Sequence, residues 1–427
     1  MTGSFSRYQK LVVALLAFLQ FTVILDFMTL SPLGAILMPT LHITPKQFGL
    51  VVSVYAFSAG ISGLLAAGFA DRFDRKPFLL FFYSGFVLGT FFCAIANSYT
   101  FLLVARMVTG VFGGVISSIV LAIATDLFPL EIRGRVMGFV QTAYAASQVL
   151  GIPAGLYLSN AWGWHAPFFM IVVVSLVVGV LILVRLQPIN SHLAMERPGS
   201  ALAHLRATVT TPRYLQAFMT TILLSTGSFM LLPFSSAFTV HNMGIDITDL
   251  PIIYLVAGLC SLVMGPLAGR AADSVGKFKT FVFGSSVDIV LLLIYTHLGK
   301  TPLLLVIFVT VFMFIGVSSR TVSAQALISA IPSADSRGAF MSINSSVRQI
   351  SGGLACVLAG FIVVEGDNGA LLHVDFLGVV VASTFLFALL MMNRIRRFVP
   401  ERSKPANELQ MVFVPNSTAA LLNNGDG

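Results

Sequence analysis

ADRFDRKP at residues 70–77 and GRAADSVGKFK at residues 269–279 are two charged stretches in a chain that is apolar on either side of each. Asp71, Arg72, Asp74, Arg75 and Lys76 make up the first, and Arg270, Asp273, Lys277 and Lys279 the second. Both fit one register. Gly269, Asp273, Gly276 and Lys277 follow the order glycine, aspartate, glycine, base; Asp71 and Arg75 keep the same spacing, with Ala67 and Asp74 in the glycine places. A second echo follows each stretch, where Phe128, Pro129, Arg133, Gly134 and Met137 answer Ile331, Pro332, Arg337, Gly338 and Met341. The chain therefore reads as a duplication, two similar halves joined near residue 200. Repeated halves of a membrane protein commonly pack around one shared site.

Composition identifies the solvent. Hydrophobic residues make up 57% of the 427 and charged residues 10%, with a mean hydropathy of +0.92, whereas soluble domains carry roughly 25% charged residues. A bilayer core about 30 Å thick takes around 20 apolar residues per helix. Spans are expected at 11–38, 47–70, 77–97, 100–126, 135–158 and 166–186, then at 214–240, 249–270, 278–297, 302–330, 339–364 and 374–394. The fold class is all-α and polytopic, with twelve transmembrane helices in two six-helix bundles. The first bundle is expected over 1–186, a linker over 187–213, the second bundle over 214–394, and a polar tail with too little apolar surface to fold alone over 395–427. The apolar run that opens the chain is too long for a signal-peptide core, so it is expected to stay as span 1.

Lysine and arginine set the orientation. Arg7, Lys10, both charged stretches, Arg133, Arg135, Arg185, Arg213, Arg337 and the run 394–404 lie on one side of this layout, and Lys46 and Lys300 on the other. The basic side is then cytoplasmic, with both termini inside, as expected of a multi-pass protein of a bacterial inner membrane. The net charge of +8 belongs to loops beside anionic lipid, so no nucleic-acid partner is expected. Cys93, Cys260 and Cys356 fall inside spans and the histidines are scattered, so no metal or other cofactor is expected.

Charges within the spans are where chemistry should be sought, because each is costly unless paired or wetted. Five stand out: Asp26, Arg106, Asp288, Arg320 and Arg348. Asp26, about 22 Å along span 1 at the helical rise, suits a group that takes up and releases a proton in each cycle. A static buried ion pair is the plainer reading. Asp288 is expected to pair with Arg320 or with Arg348; an unpaired Arg320 would favour an anionic substrate. At the basic side, Asp71 can cap a neighbouring helix terminus as a latch, Arg75 can reach Asp126, and Asp273 and Lys277 repeat the arrangement. Asp74, standing for glycine, suits a left-handed turn. In span 5, Gly151 and Gly155 permit close packing and Pro153 removes a helical hydrogen bond. Gln20, Phe21, Tyr144, Gln148 and Phe229 are candidates for a substrate pocket with apolar walls and polar handles.

These residues carry a resemblance over positions 8–398. The chain resembles the major facilitator superfamily, and its first half is similar to the twelve-helix drug:proton antiporter branch. The loop signature matches Asp71, Arg72, Arg75 and Lys76; the span 4 signature matches Arg106 and Gly110. The span 5 antiporter signature is met in register by Gly151, Pro153, Gly155, Gly163, Trp164 and His165, with the proline one place late and Leu156 for the last glycine. The resemblance implies that spans 1, 4, 7 and 10 line a central cavity with Asp26 and Arg106 facing across it. It also implies that the Arg75–Asp126 pair stabilises the outward-facing state. It further implies a monomeric, proton-coupled exporter of small organic or drug-like solutes, driven by the proton gradient. Uptake by symport is the rival within transport. A polytopic enzyme or sensor would need a cluster of acid, base, nucleophile or metal ligands, and no such cluster stands in the sequence.

Overall fold

In the computed structural model, residues 5–66, 73–190, 208–333, 336–366 and 369–398 are described. Asp71, most of the linker and nearly all of the tail lie outside them, as do the side chains of Leu130 and Glu131. Among the described residues, eleven helices are long and apolar enough to cross a bilayer. The remaining pass is composite: Leu130–Ala146 runs through a π-helical turn, Ser147–Gly151, into Ile152–Trp162. The spans thus form six and six, an all-α fold.

Local signals set the helix starts. Ser6 and Gln9 form a reciprocal capping box that opens span 1, Arg7–Thr29. Thr44 and Gln47 exchange the same bonds ahead of span 2, Pro45–Ala66. Asp74 caps span 3, Arg75–Ala94, and Ser98 caps span 4, Tyr99–Leu127. Asp74 has φ −57° and ψ 130°. It is therefore not the left-handed turn residue expected of it. Its Oδ1 accepts from the backbone N–H of Lys76 at 2.9 Å and of Ile189 at 3.1 Å, which also ties span 3 to the segment after span 6. The matching residue of the second half, Gly276, does have positive φ, at 113°.

Prolines account for the broken spans. Span 1 was expected to be continuous to residue 38, but it stops at Thr29, turns through residues 30–33 around Pro32 and resumes as Gly34–Leu41. Pro32 lacks the N–H that the helix would use, and its ring disfavours helical geometry in Ser31. Pro153 likewise follows the π turn of span 5. Pro233 sits in a 3-10 turn where span 7, Pro212–Leu231, becomes irregular before a second π turn, Phe238–Asn242. Beyond span 11, Arg337–Ile362, a short antiparallel ladder pairs β1, Val364–Glu365, with β2, Leu371–Leu372.

The hydrophobic core is continuous between the halves at one end and divided at the other. On the side away from the basic clusters, one cluster takes in Leu30, Leu33 and Phe48 of the first half with Met230, Phe234 and Cys356 of the second. On the basic side there are two clusters. One, built on Leu16, Phe82, Ile119 and Val136, draws its buried residues from the first half; the other, built on Phe218, Phe281, Ala324 and Phe340, draws them from the second. Spans 2 and 11 run along each other, and spans 5 and 8 pack through the π turn and Ile152–Trp162. Polar contacts also cross at the joined end: Ser236 Oγ donates to Ser31 O at 3.1 Å and Asn160 Nδ2 to Ile247 O at 3.2 Å. Toward the basic face spans 5 and 8 part, and a Cβ placed on Gly138, Gly265 or Gly269 would meet no described atom within 4 Å. Apolar burial drives closure, so the shape is closed on the far face and open toward the basic one.

Candidate central cavity and buried ion pairs

Asp26 and Arg106 meet directly. Arg106 Nη1 donates to Asp26 Oδ2 at 2.7 Å, with the two side chains 0% and 1% exposed. Thr90 of span 3 donates to Asp26 Oδ1 at 3.1 Å, and the Tyr55 ring of span 2 lies 4.5 Å from the Arg106 guanidinium carbon. Gly110 of span 4 makes this approach possible, since a Cβ there would sit 2.5 Å from the carbonyl oxygen of Tyr55. The pair thus lies inside the first bundle, among four of its spans, and not across the central cavity as the resemblance implied. Sequence reading did not find Thr90 and Tyr55; nothing in their spacing marks them.

The second half has its own pair, Arg320 Nη2 and Asp288 Oδ2, 3.1 Å apart and nearly unexposed. Arg320 also stacks 3.7 Å above Phe385 and donates to Ser228 Oγ at 3.2 Å. Spans 9, Lys277–Thr296, and 10, Leu303–Ile328, come close enough for this because Gly284 and Gly316 face each other's backbones. Asp288 therefore pairs with Arg320 and not with Arg348.

Arg75 Nε donates to Asp126 Oδ2 at 2.9 Å, with Arg75 2% exposed. This joins the expected partners, but both belong to the first half. The pair braces span 3 against span 4 and does not bridge the halves. Asp71 lies outside the described residues. Asp273 and Lys277 form no ion pair among the described residues, so the second charged stretch does not reproduce the contact.

The close packing that Gly151 and Gly155 of span 5 permit falls within their own half. A Cβ on Gly151 would stand 2.4 Å from Leu25 of span 1, and Gly155 faces Pro167 and Thr29 at ordinary distances, all within the first half. Where span 5 meets span 8 the close approach is made by Gly258 of span 8, where a Cβ would meet Gln148 O at 2.8 Å, and along spans 2 and 11 by Gly49 and Gly60, which face Cys356 and Ile350.

The five pocket candidates separate. Phe21 lines an apolar crevice with Leu25, Leu150 and Ile171, all first-half residues, so it is not between the halves. Gln20 donates to Ser117 Oγ of span 4 at 3.1 Å. Phe229 of span 7 meets Phe27 of span 1 with ring centroids 6.0 Å apart, and Phe27 in turn meets Tyr55 at 5.2 Å. A chain of rings thus runs from the seam between halves to the Asp26–Arg106 pair. Tyr144 is half exposed, and Arg348 of span 11, in the other half, lies within electrostatic reach of it. Gln148 is 9% exposed.

Two six-span bundles, joined at one face and parted at the other, have the two-repeat architecture of a membrane transporter fold. The chain belongs to the Major Facilitator Superfamily, whose sequence profile it matches over residues 16–356 and again over 217–423. It is 29% identical over 261 residues to the uncharacterized MFS-type transporter YceJ of Bacillus subtilis, a match covering 61% of this chain and 66% of that one, just under two thirds. It is 22% identical to YbcL of the same organism over 80% of this chain and 86% of the relative. Among solved structures, a bacterial homologue of the human lysosomal transporter Spinster, inward-facing and unoccupied, superposes with a TM-score of 0.73 at 16% identity, over 94% of this chain and 100% of that one. A D-xylose-proton symporter superposes with a TM-score of 0.75 at 15% identity, over 92% and 98%. At those identities the likeness is one of fold.

Proposed function

We propose that this member of the superfamily is a secondary active transporter that moves a small organic solute by alternating access, coupled to protons through Asp26, and that it works as a monomeric exporter. It would sit in a bacterial inner membrane with its basic face in the cytoplasm. The observation that carries the reading is the core that is shared on one face and split on the other. Two packed bundles with one closed face need only rock to exchange which side is open. The altered glycine and proline pattern at Gly151 and Pro153 leans toward export.

Asp26 is sealed from solvent in this state, so proton exchange belongs to another. The ring chain suggests the route. Separating Phe229 from Phe27 uncovers Tyr55, and Tyr55 covers Arg106. Protonating Asp26 removes the charge that compensates Arg106, an imbalance that a low-dielectric interior penalises. The state of the carboxylate and the position of the halves then bias each other.

The test is flux in proteoliposomes under an imposed pH gradient, across cationic, neutral and anionic solutes. Accumulation opposite to proton flow supports antiport. Accumulation along it means symport, and flux indifferent to the gradient removes the proton.

A further inference from the structure

Three arginines lie deep in the spans, and only two have acids. Of the 17 acidic residues, Asp26 and Asp288 are the ones placed well inside spans, and each holds its own arginine. Asp126, at the end of span 4, is held by Arg75. Arg348 has no ion pair or hydrogen bond among the described residues, and it is exposed. It stands eleven positions beyond Arg337, the first residue of span 11, or about 17 Å at the helical rise, which is near mid-bilayer.

Its surroundings follow from the duplication. The 204-residue offset that relates Arg133 to Arg337, Gly134 to Gly338 and Met137 to Met341 also relates Tyr144 to Arg348. The two are counterparts in spans 5 and 11, so a pseudo-twofold axis between the halves places them opposite each other, with Arg348 within electrostatic reach of Tyr144. Tyr144 is half exposed, yet lies opposite a residue of the other half, as a side chain lining an internal opening does. Gln141, Tyr144 and Gln148 recur at helical spacing on one face of span 5. Gln148 is 9% exposed and its Oε1 has no hydrogen-bond partner among the described residues.

We propose that Arg348 anchors an anionic group of the transported solute, with Tyr144 and Gln148 completing the site from the other half, so that the carrier takes small organic anions. This rests on the transporter reading above and narrows its small organic solute to one sign of charge. A guanidinium presents a planar fork of donors that matches a carboxylate or phosphate with two parallel bonds. The tyrosine hydroxyl and the glutamine amide each add a donor. An unpaired cation at this depth is costly, and an entering anion removes that cost. A cationic solute would bring a second positive charge against Arg348, and the two described acids deep in the spans, Asp26 and Asp288, already hold arginines of their own. Because the contacts come from both halves, the bound anion would also tie the bundles together.

The experiment uses the full chain in lipid nanodiscs at fixed ionic strength. Thermal unfolding and equilibrium binding are measured with benzoate, benzylamine and benzyl alcohol, which share a shape and differ in charge, and with succinate and glucose 6-phosphate. At least one anion is expected to raise the wild-type Tm, while benzylamine and benzyl alcohol do not. Arg348→Gln is expected to weaken that anion at least tenfold, and Arg348→Lys to retain part of the binding. The unliganded Tm of both variants should stay at or above wild type, since no described partner is lost. The proposal is overturned if no anion shifts the wild type, or if an anion binds Arg348→Gln as well as wild type. Counterflow in proteoliposomes separates the two readings. Counterflow of the amine or the alcohol alone keeps the transporter and discards the anion site, whereas Arg348-dependent anion binding without any flux keeps the site and discards the transporter.

Discussion

The carboxylate of Asp26 lies 2.7 Å from Nη1 of Arg106, and water reaches neither side chain. Breaking a buried pair by removing one partner typically costs about 3–5 kcal/mol, because the other charge is stranded. Arg106→Ala is therefore expected to lower thermostability more than Asp26→Asn with Arg106→Ala together. A double-mutant cycle on detergent Tm reads the coupling, and strict additivity would mean that the contact contributes nothing. Asp26→Asn alone should bind and exchange solute but fail to concentrate it on a pH gradient, because an amide carries no proton. Full gradient-driven accumulation by that variant would take Asp26 out of the mechanism.

The Arg320–Asp288 pair should behave as structure. Its stacking on Phe385 and its place between closely packed spans 9 and 10 leave it nearly unexposed. Arg320→Leu is expected to reduce folded yield sharply. Asp288→Leu with Arg320→Met should recover most of it, since apolar replacement of a buried pair is often neutral or stabilising. Transport by the double variant within a fewfold of wild type would agree. Its complete loss at normal Tm would make the pair part of transport.

Much of this was legible in the sequence, and the limits have physical causes. The duplication, the spans and the Arg75–Asp126 contact follow from periodic patterns and from the cost of charge in lipid, whereas the meeting of Asp26 with Arg106 came with the family resemblance and Asp288 stood open between Arg320 and Arg348. The face that is open was not legible, because Leu30 and Leu16 look alike until packing assigns one to a shared core and the other to a divided one. Nor was the depth of Asp26 behind Tyr55, which depends on side-chain direction around span 2. Arg348 was visible as a mid-span charge, but its lack of an acid emerged only once Asp288 was seen to hold Arg320.

Asp74 and Gly276 share a register place and differ in conformation, so their exchange should be asymmetric. Asp74→Ala loses a helix cap, typically about 1 kcal/mol, along with the bond to Ile189 N; Asp74→Gly should be milder. Gly276→Asp must place a side chain at φ 113°, ψ 136°, a strain of about 1–3 kcal/mol. Unfolding midpoints of the three variants check the order. Equal tolerance of Gly276→Asp and Asp74→Gly would contradict the backbone assigned to span 9.

Gly258 should be the least replaceable glycine along spans 5 and 8. A methyl group there would stand 2.8 Å from the carbonyl oxygen of Gln148 and 3.0 Å from the Cα of Val149, backbone atoms of the other half that cannot turn aside. At Gly155 the nearest atoms are 3.5 Å away. Overpacking a tight contact costs roughly 1–3 kcal/mol, and here the cost falls only on states in which spans 5 and 8 touch near mid-membrane. Gly258→Ala is thus expected to slow transport severalfold and shift the balance between states, while Gly155→Ala leaves both near wild type. Cysteine labelling from each side of the membrane reports the balance. The sign is informative: if the two spans touch only when the far face is closed, Gly258→Ala should raise labelling from that face and lower it from the basic one. Unchanged labelling, with transport intact, would show that the contact yields without cost and that the seam lies elsewhere.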